Sequence, residues 1–130
     1  MKANELMIGD WVQGFLPDTN SKVVGILNDI QIAIIGGGAY MELDVDDLQP
    51  IPLTPEILEK NGFVLSKESS RKPYQLRDNS IYVSVIKGRL NARYYEKFGK
   101  PINAMQIDCN YVHELQHALR LCGIEKEIVL

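Results

Sequence analysis

The chain of 130 residues has few of the residue types that most directly reveal chemistry: two His, two Cys and one Trp. No apolar run approaches the roughly 18 residues that a membrane-spanning helix needs, which excludes such a helix. Residues 1–6 lack the apolar core of a signal peptide. Cys109 and Cys122 flank a predicted helix and so lie about 20 Å apart, beyond disulfide reach. We therefore expect reduced thiols in a cytoplasmic protein.

Positive charge is also scarce overall, since the net charge is −3, which argues against nucleic-acid binding by the whole surface. The distribution is uneven, because residues 1–50 hold two Lys and eight acids, whereas residues 65–100 hold nine Lys or Arg and three acids. The second segment predicts a basic surface with interleaved tyrosines, suited to nucleic acid or an acidic partner. The alternative is that these charges only keep the protein soluble. The candidate surface residues are Lys72, Tyr74, Arg77, Tyr82, Lys87, Arg89, Arg93 and Tyr94.

The first part of the chain, residues 1–53, has the pattern of a small β domain. Short apolar strands alternate with turn residues, including Asn28-Asp29 as a two-residue hairpin loop and Gly36-Gly37-Gly38 as a hairpin tip. A helical turn is predicted over residues 45–48, before a last short strand near Ile51. Five short strands with a late helical turn predict an SH3-like barrel. The strand candidates are residues 10–13, 23–27, 30–35 and 40–43, together with the one near Ile51.

Residues 54–130 predict an α+β region, with an antiparallel sheet and two helices. Thr54-Pro55-Glu56 is a strong helix start, and Gly62 ends that helix. Residues 111–122 form the second predicted helix, which ends at Gly123. The predicted strands cover residues 63–65, 74–76, 81–86, 90–95 and 104–109. The fold class is therefore mixed β and α+β, with the two parts expected to pack as one compact unit.

His113-Glu114-Leu115-Gln116-His117 matches the His-Glu-x-x-His pattern of zinc peptidases. On a helix the two His lie one turn apart and could bind zinc, while Glu114 could act as general base. The chain has no third His, and Arg120 lies on the same predicted face, where a cation disfavours a metal ion. A helical wheel places His113, Gln116, His117 and Arg120 opposite the apolar stripe. We therefore interpret the match as coincidental, with zinc as the alternative cofactor.

Three other motifs have weaker functional interpretations. Gly36-Gly37-Gly38 lacks the spacing of a phosphate-binding loop. Asp44, Asp46 and Asp47 resemble the start of a calcium loop but lack its later Gly and Glu. A thiolate at Cys109 beside His113 is conceivable at a helix start, although a buried structural Cys is the preferred interpretation.

Three segments carry a resemblance to a known family. These are Glu5-Leu6-Met7-Ile8-Gly9-Asp10-Trp11-Val12, Leu48-Gln49-Pro50-Ile51-Pro52-Leu53-Thr54 and Tyr111-Val112-His113-Glu114-Leu115-Gln116. The chain resembles a family of small uncharacterised bacterial and phage-associated proteins. In that family Asn is common at the position of His117, which implies that the motif is not a zinc site. The family has no assigned activity or cofactor, and it implies a soluble protein from a genome rich in mobile elements.

The combined interpretation is a non-enzymatic binding or accessory protein without a cofactor. Trp11 would either fill the barrel or line its outer groove, and the basic tyrosine-bearing surface would bind nucleic acid or protein. Residues 124–130 alternate apolar and charged side chains, so they could add a strand to the sheet edge of a second copy. A zinc-dependent peptidase, a nucleic-acid-binding module and a homo-oligomeric structural protein are the alternatives.

Overall fold

The structure is a computed structural model that describes residues 1–14, 19–67, 70–78, 80–95 and 101–130, with backbone alone for residues 95 and 101–104. It contains two five-stranded antiparallel sheets and two α-helices. The predicted mixture of β and α+β structure is thereby confirmed. The chain divides into two compact units, residues 1–52 with 111–113 and residues 53–110 with 114–130.

The first unit contains a sheet with the strand order β4-β3-β2-β1-β5. One 3-10 turn, Ala3–Glu5, precedes the sheet, and another, Val45–Asp47, separates β4 from β5. No pairing among the described residues joins the two edge strands, so this sheet is open. The strands are β1 (Trp11–Gln13), β2 (Asn20–Ile26), β3 (Gln31–Gly36), β4 (Ala39–Asp44) and β5 (Gln49–Pro50).

Alternation along these strands sends one side of the sheet into an apolar core. Val12 and Val23 are fully buried there, and residues from both 3-10 turns and the segment before β1 join them. The core members are Ala3, Leu6, Val12, Val23, Ile32, Ile34, Val45 and Leu48.

Two turns of this sheet are stabilised in different ways, one by glycines with positive φ and the other by hydrogen bonds to an Asn side chain. Gly37 and Gly38 have φ of 59° and 80° between the paired residues Gly36 and Ala39, as a two-residue hairpin turn requires. The predicted two-residue loop at Asn28-Asp29 is wrong. The loop is wider because the Asn28 carboxamide oxygen accepts hydrogen bonds from the N–H groups of Ile30 and Gln31, both at 2.9 Å.

The second unit has a sheet with the strand order β10-β9-β8-β7-β6. Helix α1 (Pro55–Lys60) starts as predicted, with the Thr54 hydroxyl accepting from the Ile57 N–H. Helix α2 spans Val112–Leu121. Of the helices in the described part of the chain, none combines the length and the apolar composition that a membrane crossing requires. The strands are β6 (Val64–Leu65), β7 (Tyr74–Asp78), β8 (Ile81–Ile86), β9 (Arg89–Tyr95) and β10 (Pro101–Asp108).

The segment after α2 is held by the second unit's own side chains. Ile124 and Ile128 are buried, and the buried Asn61 carboxamide bonds both the N–H and the carbonyl of Val129 at 2.8 Å. Residues 124–130 form no strand within the chain, and Asn61 bonds the main-chain groups of Val129. That this segment adds a strand to a second copy stays a prediction.

Candidate functional site

A row of basic and aromatic side chains crosses one face of the second sheet. Tyr82 on β8 pairs in register with Arg77 on β7 and with Arg93 on β9. Paired residues of antiparallel strands share a face, so the three side chains lie side by side. Both arginines are exposed and Tyr82 is half-buried. We call Arg77, Tyr82 and Arg93 the basic row.

Polar residues continue the same face away from the basic row. Ser84 pairs with Gln75 and Asn91, and the Tyr82 hydroxyl donates to Gln75 Oε1 at 2.6 Å. Arg89 also lies on this face, where its Nη2 is 3.7 Å from Asp108 Oδ1. Because those two side chains are 57% and 75% exposed, water screens the ion pair, which therefore contributes little to the free energy of unfolding. The face is thus positive at its exposed arginines and polar between them.

The predicted tyrosine-rich surface does not lie on one face. Tyr74 pairs with Val85 and Tyr94 pairs with Ile81, so both tyrosines lie on the side of the sheet opposite the basic row. The Tyr74 hydroxyl donates to Glu59 Oε1 at 3.2 Å. Desolvation, followed by this bond to Glu59, raises the pKa of Tyr74. Of the three candidate tyrosines whose side chains are described, Tyr74, Tyr82 and Tyr94, only Tyr82 shares a face with the arginines.

Lys72 and Lys87 line a pocket of about 380 Å³ in the second unit. Leu58 and Val85 contribute apolar walls, and Arg71 adds a third cation. Arg71, Thr54 and Asn110 also line the pocket, although the sequence motifs do not point to them as site residues. They are far apart in the chain, so no local pattern connects them. The remaining lining residues are Leu53, Pro55, Tyr74, Ile86, Gly88 and Cys109.

Trp11 lies on the outside of the first sheet. Its neighbour Val12 is in the core, whereas Trp11 is half-buried. Lys22 is its register partner on β2 and places its Nζ 4.9 Å from the ring centroid, a cation–π distance. Trp11 therefore lies on the side of the first sheet opposite Val12.

The His-Glu-x-x-His segment lies in α2, and the side that the wheel places opposite the apolar stripe is partly buried: Arg120 is exposed, whereas His113 and Gln116 are not. His113 is 5% exposed and Gln116 is 8% exposed, while Glu114 and His117 are half-buried. The wheel assumes a single buried stripe, whereas α2 is covered over most of its circumference. Consequently the two His of the motif have different environments.

The Glu of the motif has a structural contact. Glu114 Oε1 accepts a hydrogen bond from the Asn110 N–H at 3.0 Å, which satisfies a donor at the start of α2 as a capping side chain does. The His113 ring stacks on Tyr111, with 5.9 Å between centroids. Within the described ranges, no group of three or more His, Cys, Asp or Glu is placed to hold a metal ion.

Cys109 is a buried free thiol. Burial, followed by the nearby Glu114 carboxylate, raises its pKa to about 12. A thiol with this pKa stays protonated at neutral pH and is a poor nucleophile. The structural interpretation of Cys109 is therefore preferred over the thiolate.

We expect purified, untagged protein to contain far less than one zinc per chain, because Glu114 caps α2 and the described residues supply no third ligand beside the motif. Elemental mass spectrometry of the wild type beside His117→Asn measures this. About one zinc per chain that is lost in the variant would contradict the expectation and restore the peptidase alternative.

Comparisons of the chain with protein-family models, with curated proteins and with solved structures find no match. Its function is therefore inferred from the geometry of the chain itself.

Proposed function

We propose that this protein is a non-enzymatic binding protein whose second sheet binds single-stranded nucleic acid. The observation that carries the proposal is the basic row, in which Tyr82 lies between Arg77 and Arg93 on one face. Neighbouring strands are about 4.8 Å apart, so the two arginines are separated by about 10 Å across Tyr82. Guanidinium groups that flank an aromatic ring can contact phosphates while a base stacks on the ring.

The surrounding side chains favour an extended, flexible polyanion. Tyr82 donates its hydroxyl to Gln75, which limits rotation of the ring out of the row. Ser84 and Asn91 offer neutral hydrogen-bonding groups beside it. Stacking on one aromatic contributes about 1–3 kcal/mol per base, so a single tyrosine predicts modest affinity with little sequence preference.

The overall negative charge is compatible with this proposal. The acidic excess belongs to residues 1–50, and residues 65–100 have a net charge of +6. Electrostatic attraction to nucleic acid acts over about 8–10 Å at physiological ionic strength, so the local charge decides the contact. Residues 96–100, which belong to this basic segment, lie outside the described residues.

We infer that the first unit is a small SH3-like barrel whose sheet is open. The two domains we propose are residues 1–53 and 54–130, except that residues 111–113 belong with the first unit. The support for the barrel is the order β4-β3-β2-β1-β5 with the 3-10 turn Val45–Asp47 before β5, as expected for that class. A fold of this kind does not itself define a ligand. We propose a cytoplasmic accessory role, with the phage or mobile-element association supported by the sequence resemblance.

The nucleic-acid proposal is tested by fluorescence anisotropy with a labelled oligothymidylate at several salt concentrations. We expect the double variant Arg77→Gln/Arg93→Gln to bind at least about tenfold more weakly. The slope of the logarithm of the binding constant against the logarithm of salt concentration should become shallower by about two, one for each phosphate contact removed. Tyr82→Phe is expected to retain affinity and Tyr82→Leu to lose it, because stacking needs the ring and not the hydroxyl.

Lys60→Gln is the matched control, since it removes an exposed cation of the same unit that lies on α1 and not on the sheet. Circular dichroism establishes that each variant is folded. Equal affinities for the wild type and the folded double variant would refute binding through the basic row.

A further inference from the structure

The pocket between α1, the loop before β7 and the β8–β9 turn has the composition of an anion site. Among the described residues that line it are three cations, Arg71, Lys72 and Lys87, and no Asp or Glu. We propose that this pocket binds a phosphomonoester group attached to an apolar or heterocyclic body, with a nucleoside monophosphate as the simplest example.

Charge is the first argument. Like charges gathered around one pocket repel each other, and a dianion between them removes that repulsion. A phosphomonoester carries close to two negative charges at neutral pH and three strong acceptor oxygens. Lysine is suited to such a group as a compact point charge with three donors. Lys72 and Lys87 would meet these oxygens from two different loops.

Backbone conformation at Lys72 is the second argument. Lys72 has φ of 47° and Lys87 has φ of 43°, and they are the two non-glycine residues of the described chain with positive φ. The two-residue turn between β8 and β9 itself requires positive φ at Lys87, so Lys72 is the residue whose backbone points to a ligand. Left-handed backbone is unfavourable for a lysine, and sites where it persists often serve a ligand. Lys72 lines the pocket, so its conformation coincides with the place where positive charge is gathered.

The walls of the pocket define the body of the ligand. Leu53, Leu58 and Val85 provide apolar surface, and Thr54 and Asn110 provide polar groups. A volume of about 380 Å³ lies in the range of small-molecule sites, which are mostly apolar with a few polar groups. A bare phosphate ion would leave the apolar walls uncovered, whereas a nucleoside would cover them.

Two carboxylates near the pocket are hydrogen-bonded within the protein. Glu59 accepts from the Tyr74 hydroxyl, and Glu114 accepts from the Asn110 N–H. These two and Glu56 act electrostatically on the lining residues Tyr74 and Cys109, but none of the three lines the pocket itself. Among the described lining residues the charge is therefore positive.

The phosphomonoester could belong to a free nucleotide or to the 5′ end of a nucleic-acid strand. The second source rests on the proposed function, whereas the first does not. Isothermal titration calorimetry with adenosine monophosphate and with adenosine tests the group itself. A 5′-phosphorylated oligothymidylate compared with its 5′-hydroxyl form distinguishes the two sources.

We expect adenosine monophosphate to bind at least about tenfold more tightly than adenosine, as charge-assisted contacts to phosphate require. Lys87→Asn and Lys72→Asn are expected to weaken the nucleotide at least about fivefold each, because Asn tolerates left-handed backbone but carries no charge. If the phosphorylated strand binds more tightly than the free nucleotide, the ligand of the pocket is the 5′ end of a strand. If the free nucleotide binds more tightly, the ligand is the nucleotide.

Two results would overturn the inference. Equal affinity for adenosine monophosphate and adenosine, including no binding of either, would exclude a phosphomonoester site. Undiminished binding by the folded lysine variants, or loss of binding in Arg77→Gln/Arg93→Gln, would place the phosphate elsewhere. Because the basic-row variants and the pocket variants are separate, failure of this inference is distinguishable from failure of nucleic-acid binding on the sheet.

Discussion

Replacement of Asn61 by Ala is expected to lower the free energy of unfolding by about 2–4 kcal/mol, from the loss of hydrogen bonds to buried partners. Asn61 is 2% exposed. Its carboxamide donates to the carbonyls of Ile57 and Val129 and accepts from the Val129 N–H, all at 2.8 Å. Removal of the carboxamide leaves the main-chain groups of Val129 without this partner, and it frees the segment that buries Ile128.

Chemical denaturation followed by circular dichroism measures the Asn61 effect. Asn28→Ala is the matched control, because Asn28 also bonds two main-chain N–H groups but is exposed, so we expect a loss below about 1 kcal/mol. In a double-mutant cycle, Asn61→Ala and Ile128→Ala should be less than additive, since either change detaches the same segment. A loss below about 1 kcal/mol for Asn61→Ala itself would show that the carboxamide does not hold the C-terminal segment.

Substitution of Gly88 by Ala is the second change with a large expected effect, a loss of about 2 kcal/mol or more. Gly88 has φ of 78° in the turn between β8 and β9. An added Cβ would overlap the Asn110 carboxamide oxygen, and the Gly88 carbonyl accepts from the Cys109 N–H at 2.7 Å. The residue therefore has both a conformational and a steric reason to be glycine.

Gly37→Ala separates these two reasons. Gly37 has φ of 59°, and none of the described atoms beyond its chain neighbours lies within 4 Å of the position that an added Cβ would take. Its substitution should therefore cost only the conformational part, about 1 kcal/mol. Thermal unfolding of both variants gives the comparison, and Asn110→Gly in the Gly88→Ala background should recover the steric part. Equal losses at the two glycines would contradict the steric argument.

Lys87→Asn should leave stability unchanged or raise it slightly, because Asn accepts left-handed backbone more readily than Lys does. Lys87 has φ of 43° in the same turn as Gly88. The same thermal unfolding experiment measures this variant, and a clear loss of stability would show that the Lys87 side chain itself supports the turn.

Local sequence chemistry accounts for most of the secondary structure. Thr54-Pro55 starts α1, Gly37-Gly38 and Lys87-Gly88 form hairpin turns, and the β-branched run Ile81–Ile86 is a strand with the predicted bounds. These features depend on capping, φ preference and side-chain alternation, which act within a few residues. The loop at Asn28 is wider than the predicted two-residue loop because the Asn28 carboxamide bonds two backbone N–H groups. The preference of the Asn-Asp dipeptide for a turn does not specify these side-chain bonds.

The candidate sites depend on long-range contacts that local sequence preferences do not predict. Periodicity alone predicts that Tyr82 and Ser84 share a face, but whether Tyr82 lies beside Arg93 depends on strand register, which long-range pairing decides. The same register separates Tyr74 and Tyr94 from that face. Likewise, the burial of His113 depends on what covers α2 and not on the helix itself.

By itself, the sequence determined the two-part organisation, the glycine turns, the start of α1 and the segregation of positive charge into residues 65–100, because each follows from composition or short-range preference. Only the tertiary structure decided which cations share a surface or a pocket and which side chain holds the C-terminal segment. Thr54, Lys72, Lys87 and Asn110 line one pocket, and Asn61 meets Val129 across the fold. Such contacts arise when distant segments pack, and packing free energy is a property of the whole core.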